Sequence, residues 1–370
     1  MKYYIIAGEA SGDLHASNMM KALKEADKKA KFRFWGGDLM ESVGGTLVKH
    51  YKELSFMGFV EVIKNLPTIF GNVKFCKEDI ANYNPDVLIF IDYSGFNLRI
   101  AKWAKEQGFK TNYYISPQVW ASRAKRVVDI KRDINHMYVI LPFEKDFYKK
   151  YNYEVDFVGH PLIDAIANRK IIEEAAFRKL HNLSDKPIIA LLPGSRKQEI
   201  TKMLSVMLSL VDDFKDYQFV IAGAPSLEFE FYQGFIQDKN ISFINNQTYD
   251  LLSIATAALV TSGTATLETA LFKVPQVVCY KGSNISYQIA KRIITLKFIS
   301  LVNLIMDKEV VKELIQDEFT TENLKLELSK ILDAENQKKM LATYTELEQK
   351  LGGAGASSKV AQLIIQNNQD

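Results

Sequence analysis

The chain has 370 residues, with 47 Lys and Arg against 44 Asp and Glu, five His and two Cys, and a formal net charge of +3. Apolar residues make up 47% and charged residues 25%, an ordinary globular balance, and the length suggests two domains. These figures exclude a disordered, collagen-like or disulfide-stapled chain, and they argue against a nucleic-acid binder, which carries a basic excess or stripe.

In chain order, Met1–Asp13 lacks the pattern of a signal peptide, because Glu9 and Asp13 follow a short apolar run at once. Strands are expected at Tyr3–Ala7, Phe32–Gly36, Val87–Asp92, Thr111–Ile115, Tyr138–Leu141 and Asp156–Val158. A second series follows at Ile188–Leu192, Gln218–Ala222, Ser242–Ile244, Ala257–Thr261 and Gln276–Tyr280. Helical patterns separate most of them, which predicts parallel sheets covered by helices on both faces. The series restarts after a charged helical stretch, Ile171–Leu183. The reading is therefore two doubly wound Rossmann-like α/β domains, residues 1–167 and 168–350. Gly352, Gly353 and Gly355 then break a charged helix, and Ser357 or Ser358 is expected to cap a last helix over about 356–366. No stretch reaches the roughly 20 apolar residues of a membrane span. Cys76 and Cys279 stand alone, as buried free thiols do, and a reducing, cytoplasmic setting is the default.

Ligands of doubly wound sheets sit at the carboxyl ends of the strands, so motifs directly after strands carry the weight. Leu191-Leu192-Pro193-Gly194-Ser195-Arg196 runs from strand to helix. Gly194 permits close backbone approach, the helix start offers N–H groups, and Arg196 matches a phosphate with its fork. A plain turn with a surface Arg is the competing reading. Thr261–Glu268 repeats the arrangement, with Ser262, Gly263 and Thr264 as phosphate contacts. Glu268 lies one helical turn after Thr264, where it could take both hydroxyls of a ribose or serve as a solvated surface acid. Asp92 leaves the apolar strand 87–91, as a general base or as a helix cap. Gly8–Asp13 departs from G-x-G-x-x-G, so a nicotinamide site is disfavoured, while Ser11 and Gly12 can still meet an anionic ligand, and Glu9 beside them is a further candidate on the acceptor side. His160 follows another strand in Val158-Gly159-His160-Pro161 and is a candidate on the same side. The histidines lack metal-ligand spacing, and no metal or cofactor is expected.

Phe59, Val62, Ile63, Leu66, Ile69, Phe70 and Val73 recur at helical spacing, with Glu61, Asn65, Thr68 and Asn72 on the other face and a break or restart at Pro67. Phe56, Met57 and Phe75 add bulk, and such a stripe is either core or a patch that meets a bilayer, with Lys52, Lys64, Lys74 and Lys77 near head groups.

Taken together, these segments resemble the lipid-A-disaccharide synthases, inverting glycosyltransferases of bacterial outer-membrane biogenesis. The matching pieces are GEASGD (8–13), FMGFVEV (56–62), ISPQVWA (115–121), LPFEKDFY (141–148), GHPLID (159–164), LLPGSR (191–196), TSGTATLE (261–268) and SLVNLI (300–305), in family order. The resemblance implies a glycosyltransferase B fold, two Rossmann-like domains facing a cleft, with the last helix returning to the first domain. It implies UDP-2,3-diacylglucosamine as donor and 2,3-diacylglucosamine 1-phosphate (lipid X) as acceptor, joined by a β-1,6 bond with release of UDP. Asp92 then falls at the candidate base, and Arg196, Glu268 and Asn303 at UDP contacts. Tyr93, Ser94 and Gly95 stand where the family often has Ala-Pro-Asp, and Ser122 where it often has Trp. The acyl-bearing substrates favour the membrane reading of the stripe, at the cytoplasmic face of the inner membrane. A homodimer is one possible assembly. The rivals are a UDP-sugar epimerase of the same fold, a non-catalytic sugar-binding protein and a nicotinamide enzyme.

Overall fold

The computed structural model describes residues 1–54, 66–224, 227–236, 241–282 and 297–369. The chain divides into two units, Met1–Asn168 with Leu351–Asp370, and Arg169–Lys350.

The first unit holds a parallel sheet of β1 (Lys2–Ala7), β2 (Lys31–Gly36), β3 (Thr46–His50), β4 (Val87–Ile91), β5 (Thr111–Tyr114), β6 (His136–Val139) and β7 (Asp156–Phe157). Its strand order is β3-β2-β1-β4-β5-β6-β7. The second unit holds β8 (Ile188–Leu192), β9 (Gln218–Gly223), β10 (Ile241–Asn245), β11 (Ala255–Thr261), β12 (Gln276–Tyr280) and β13 (Lys312–Ile315), in the order β10-β9-β8-β11-β12-β13. Every pairing is parallel, as in β1 with β4, where Ile5 stands beside Ile89. Both units are doubly wound Rossmann-like sheets, as the alternation of elements predicts.

Side chains of a strand alternate between faces, and here both faces are covered. Tyr4 and Ile6 enter one core with Trp35, Phe90 and Tyr113, while Tyr3, Ile5 and Ala7 enter the other with Phe34, Ile89 and Tyr114. The second unit divides Ile189 and Leu191 from Ile188, Ala190 and Leu192 in the same way. This is why the strands read as unbroken apolar runs. Each large aliphatic side chain so buried contributes about 1.5–3 kcal/mol.

The order reverses between β1 and β4 in one sheet and between β8 and β11 in the other. At such a switch point the following loops part in opposite directions and leave a crevice at the carboxyl ends. The loops after these four strands are the four singled out in the sequence: Gly8–Asp13, Asp92–Asn97, Gly194–Arg196 and Ser262–Glu268.

Two strands escape the sequence reading, β3 and β13. Both are edge strands of four or five residues, β3 flanked by Gly44 and Gly45 and β13 carrying Lys312 and Glu313. The helix expected over 171–183 is shorter, Glu174–Leu180. The helix Ala334–Lys350 ends in a turn where Gly352, Gly353 and Gly355 have φ of 91°, 67° and 107°. Only glycine adopts that run without strain. The last helix, Ala356–Asn367, packs on the helix Ala10–Ala26 of the first unit. Ser357 and Ser358 do not cap it. Asp164, on the helix Pro161–Ala167, accepts from Gly355 N at 2.6 Å and Ser357 N at 2.8 Å and takes that role from 191 residues away. A carboxylate outcompetes a serine hydroxyl there because it is charged and meets the positive end of the helix.

Candidate active site

In the second unit a cavity of about 300 Å³ opens at the β8/β11 switch point. Leu192, Gly194, Ser195, Glu199, Thr261, Ser262, Gly263, Thr264 and Glu268 line it. Gly194 has φ of 114°, and a Cβ there would lie 3.0 Å from the Glu199 carboxylate, so the loop takes no larger residue in this shape. The helix Lys197–Leu208 begins directly after Arg196, with its amino end at the loop. Glu199 sits within this loop, where Arg196 Nη1 donates to it at 3.2 Å and Ser195 N at 3.4 Å. Across the cavity, the Ser262 hydroxyl donates to Ile299 O at 3.1 Å, Thr264 is exposed, and the buried Thr261 hydroxyl has no partner among the described residues. Glu268, on the helix Thr264–Leu271, accepts from the Tyr249 hydroxyl at 2.8 Å. Burial raises its pKa, and the Tyr249 hydrogen bond partly offsets the rise.

Asn303 stands apart from this wall. It is fully buried on the helix Leu301–Met306, where its amide donates to Val311 O at 2.8 Å and Glu313 Oε1 at 2.9 Å and accepts from Val310 N and Val311 N. All of its hydrogen-bonding capacity goes to holding the approach to β13.

In the first unit the β1/β4 switch point carries Asp92. Asp92 and Tyr93 both adopt left-handed backbone, with φ of 43° and 45°. Two such residues in succession, neither glycine, store about 1–3 kcal/mol each and persist only where their surroundings hold them. Buried Asn97 supplies that hold: its Nδ2 donates to the carbonyls of Asp92 at 2.9 Å and Ile91 at 3.2 Å. The Tyr113 hydroxyl donates to the same Asp92 carbonyl. Burial, and then the negative charge of Glu9, push the Asp92 carboxyl up to about 6. A carboxylate with that pKa is a stronger base than a surface Asp and still ionised at neutral pH. Glu9 and Ser11 are exposed at the same sheet end, whereas Gly12 is buried against Ala7 and Ile91. Ile115, at the end of β5, adds a further left-handed residue with φ of 66°.

Other motif residues hold the scaffold. Asp13 is buried and accepts from Gly37 N, Leu39 N and Met40 N, at 2.8 to 3.1 Å. His160 caps the helix Pro161–Ala167 through Nδ1, which accepts from Leu162 N at 3.2 Å. Burial, and then His15, lower its pKa to about 3, so it is neutral at physiological pH. Glu144 is buried and accepts from Leu141 N at 2.9 Å, beside Ser116 and Trp120, and its pKa rises to about 7. The hydrogen bond between Tyr148 and Ser116, 2.6 Å, ties LPFEKDFY to ISPQVWA.

Of the apolar stripe, Phe59, Val62 and Ile63 lie outside the described residues. Leu66 opens the helix Leu66–Tyr83, with Pro67 in its first turn, where a missing N–H costs nothing. Ile69 is partly buried, and Phe70 and Phe75 are 59% and 46% exposed. Asn72, assigned to the polar face, is buried instead, because the helix turns its polar Asn inward and its phenylalanines out. No helix among the described residues is long and apolar enough to cross a membrane.

A larger cavity, about 700 Å³, lies at the opposite, amino end of the first sheet, lined by Asp27, Lys28, Lys29, Asp86, Lys110 and Asn368 among others. It holds none of the strand-end loops, and the doubly wound architecture places ligands at the other end.

Glu199, Tyr249 and the anchoring role of Asn97 were missed in the sequence. Glu199 was detectable as an acid in the first turn of a phosphate-type helix. Tyr249 sits 19 residues from Glu268 on a different helix, and only the fold brings the two together.

The protein-family model described as lipid-A-disaccharide synthetase matches residues 3–366. Lipid-A-disaccharide synthase of Trichlorobacter lovleyi is 36% identical over 98% of this chain and 96% of its own length. The synthase of Geobacter metallireducens is 37% identical with the same coverage. Among solved structures, UDP-GlcNAc 2-epimerase from Neisseria meningitidis bound to UDP-GlcNAc matches with a TM-score of 0.72 at 12% identity, covering 99% of this chain and 100% of that one. A glycosyltransferase from Rickettsia africae matches with a TM-score of 0.61 at 13% identity, covering 100% and 99%. Likenesses at that identity show the fold alone, and the epimerases carry no activity across. On the family model and the relatives of equal length, the chain belongs to the lipid-A-disaccharide synthases, glycosyltransferases of lipid A biosynthesis.

Proposed function

We propose that the chain transfers 2,3-diacylglucosamine from UDP-2,3-diacylglucosamine to 2,3-diacylglucosamine 1-phosphate. The products are the β-1,6-linked disaccharide 1-phosphate and UDP. The observation that carries this reading is Asp92, a carboxylate with its pKa raised to about 6, at the switch point of one sheet, in a chain whose other switch point carries a nucleotide-type cavity.

The acceptor 6-hydroxyl gives its proton to Asp92 as its oxygen attacks the anomeric carbon. The bond from that carbon to the diphosphate oxygen breaks, and UDP leaves with the electron pair, inverting the centre. Arg196, the N–H groups at Gly194–Ser195 and the Ser262–Thr264 turn receive the charge that develops on the diphosphate. Glu268 takes the ribose hydroxyls. Glu9 and Ser11 are the proposed acceptor contacts, with Gly12 letting their helix lie close on β1. His160 acts from within the unit as a cap, and Asn303 supports the second unit.

The exposed Phe70 and Phe75, with Lys74 between them, support a peripheral seat on the cytoplasmic face of the inner membrane, where acylated substrates reside. The test is incubation of the purified protein with both lipids and mass spectrometry of the products. Equal amounts of UDP and disaccharide, formed only when both lipids are present, are expected. Conversion of the UDP-sugar without acceptor would indicate an epimerase instead.

A further inference from the structure

We infer that Tyr249 is a positioning residue that fixes the Glu268 carboxylate for a ribose diol and so sets the preference of the cavity for ribonucleotide over deoxyribonucleotide ligands. The inference rests on the proposed ribose-binding role of Glu268. Glu268 lines the cavity from the first turns of the helix Thr264–Leu271, and its Oε1 accepts from the Tyr249 hydroxyl at 2.8 Å. Tyr249 belongs to another helix, Thr248–Ile254, whose first residue, Thr248, lines the same cavity. The two helices are thus joined at the cavity rim by one hydrogen bond.

The tyrosine is itself held. Its ring packs on Phe272, with centroids 5.2 Å apart and planes at 51°. The Arg169 guanidinium lies 4.7 Å from the Phe272 ring centroid. A phenol so packed cannot swing away without breaking an aromatic contact worth about as much as its hydrogen bond. A glutamate side chain left to itself samples several rotamers, and ordering it on binding costs affinity. With one oxygen already bonded, the plane of the carboxylate is set beforehand. An ionised carboxylate offers about four lone-pair positions, so one bond from Tyr249 leaves capacity for two vicinal hydroxyls. A ligand lacking the 2′-hydroxyl leaves one of those positions unpaired in a partly buried site, and that asymmetry generates discrimination.

The experiment is calorimetric titration of the full-length protein with UDP and with 2′-deoxy-UDP, in the wild type, Tyr249→Phe and Glu268→Gln. The wild type is expected to prefer UDP by about tenfold or more. Tyr249→Phe should weaken UDP about three- to tenfold and 2′-deoxy-UDP less than about twofold, so the preference shrinks. Glu268→Gln should abolish the preference. If Tyr249→Phe weakens both nucleotides equally, the tyrosine merely supports the fold and the inference is overturned. An unchanged preference in Tyr249→Phe, with loss in Glu268→Gln, overturns it while leaving the ribose reading intact. An unchanged preference in Glu268→Gln removes the ribose reading, and the inference with it.

Discussion

The side-chain amide of Asn97 donates to the backbone carbonyl of Asp92 at 2.9 Å, from a position wholly sealed from solvent. That bond, with the one from Tyr113, holds the acid in a left-handed turn it would not keep alone. The proposed base is therefore placed by the buried wall behind it.

The raised carboxyl fixes the sign of the pH dependence. Asp92 must be ionised to accept a proton, and its pKa lies near 6, so kcat/KM should fall about tenfold per pH unit below that point. Glu9→Gln removes one of the two causes of the rise and should move the acidic limb down by about half a unit. A pH–rate profile of both proteins checks this, and a limb that stays in place would remove Glu9 from the Asp92 environment.

Glu199 occupies the loop proposed to hold the diphosphate, where it accepts from Ser195 N and Arg196. Its charge repels the ligand at close range, so Glu199→Gln should tighten UDP several-fold, most strongly at low salt, where exposed charges are least screened. Weaker binding in this variant would mean that Glu199 orients Arg196 for the ligand.

Asp164 gives the last helix its cap from a distant part of the chain. Asp164→Ala leaves two N–H groups without their acceptor and should cost about 1.5–3 kcal/mol. Urea unfolding measures the loss, and amide exchange should speed first at 355–358. Unchanged protection there would show that the contacts of the helix Ala356–Asn367 suffice without the cap.

Phe70 and Phe75 expose aromatic rings on one helix. Replacing both with Ser should weaken binding to phosphatidylglycerol vesicles about tenfold or more, with little change in the thermal transition. A collapse of the transition, or undiminished binding, would remove Phe70 and Phe75 from the proposed membrane contact.

The sequence disclosed the architecture because both sheets bury both faces, which leaves apolar runs that need no alternation to be found. Asp92, Arg196 and Glu268 were legible as candidates, because a strand followed by a short polar loop is a local pattern. What the sequence concealed depends on tertiary placement. β3 and β13 are short, partly polar edges. Ser357 looked like a cap until the fold brought Asp164 to it. Asn72 looked solvent-facing because the period alone does not say which way a helix turns. Tyr249 carries no local mark at all and acquires a role only from its distance to Glu268.

Asp92 is proposed to deprotonate the acceptor in the glycosyl transfer, while the second unit holds UDP. The most direct measurement is turnover of Asp92→Asn with both lipid substrates, together with its affinity for UDP. The expected result is a loss in kcat of at least about a hundredfold, with UDP affinity within about twofold of the wild type. Near-normal turnover in Asp92→Asn would contradict that role.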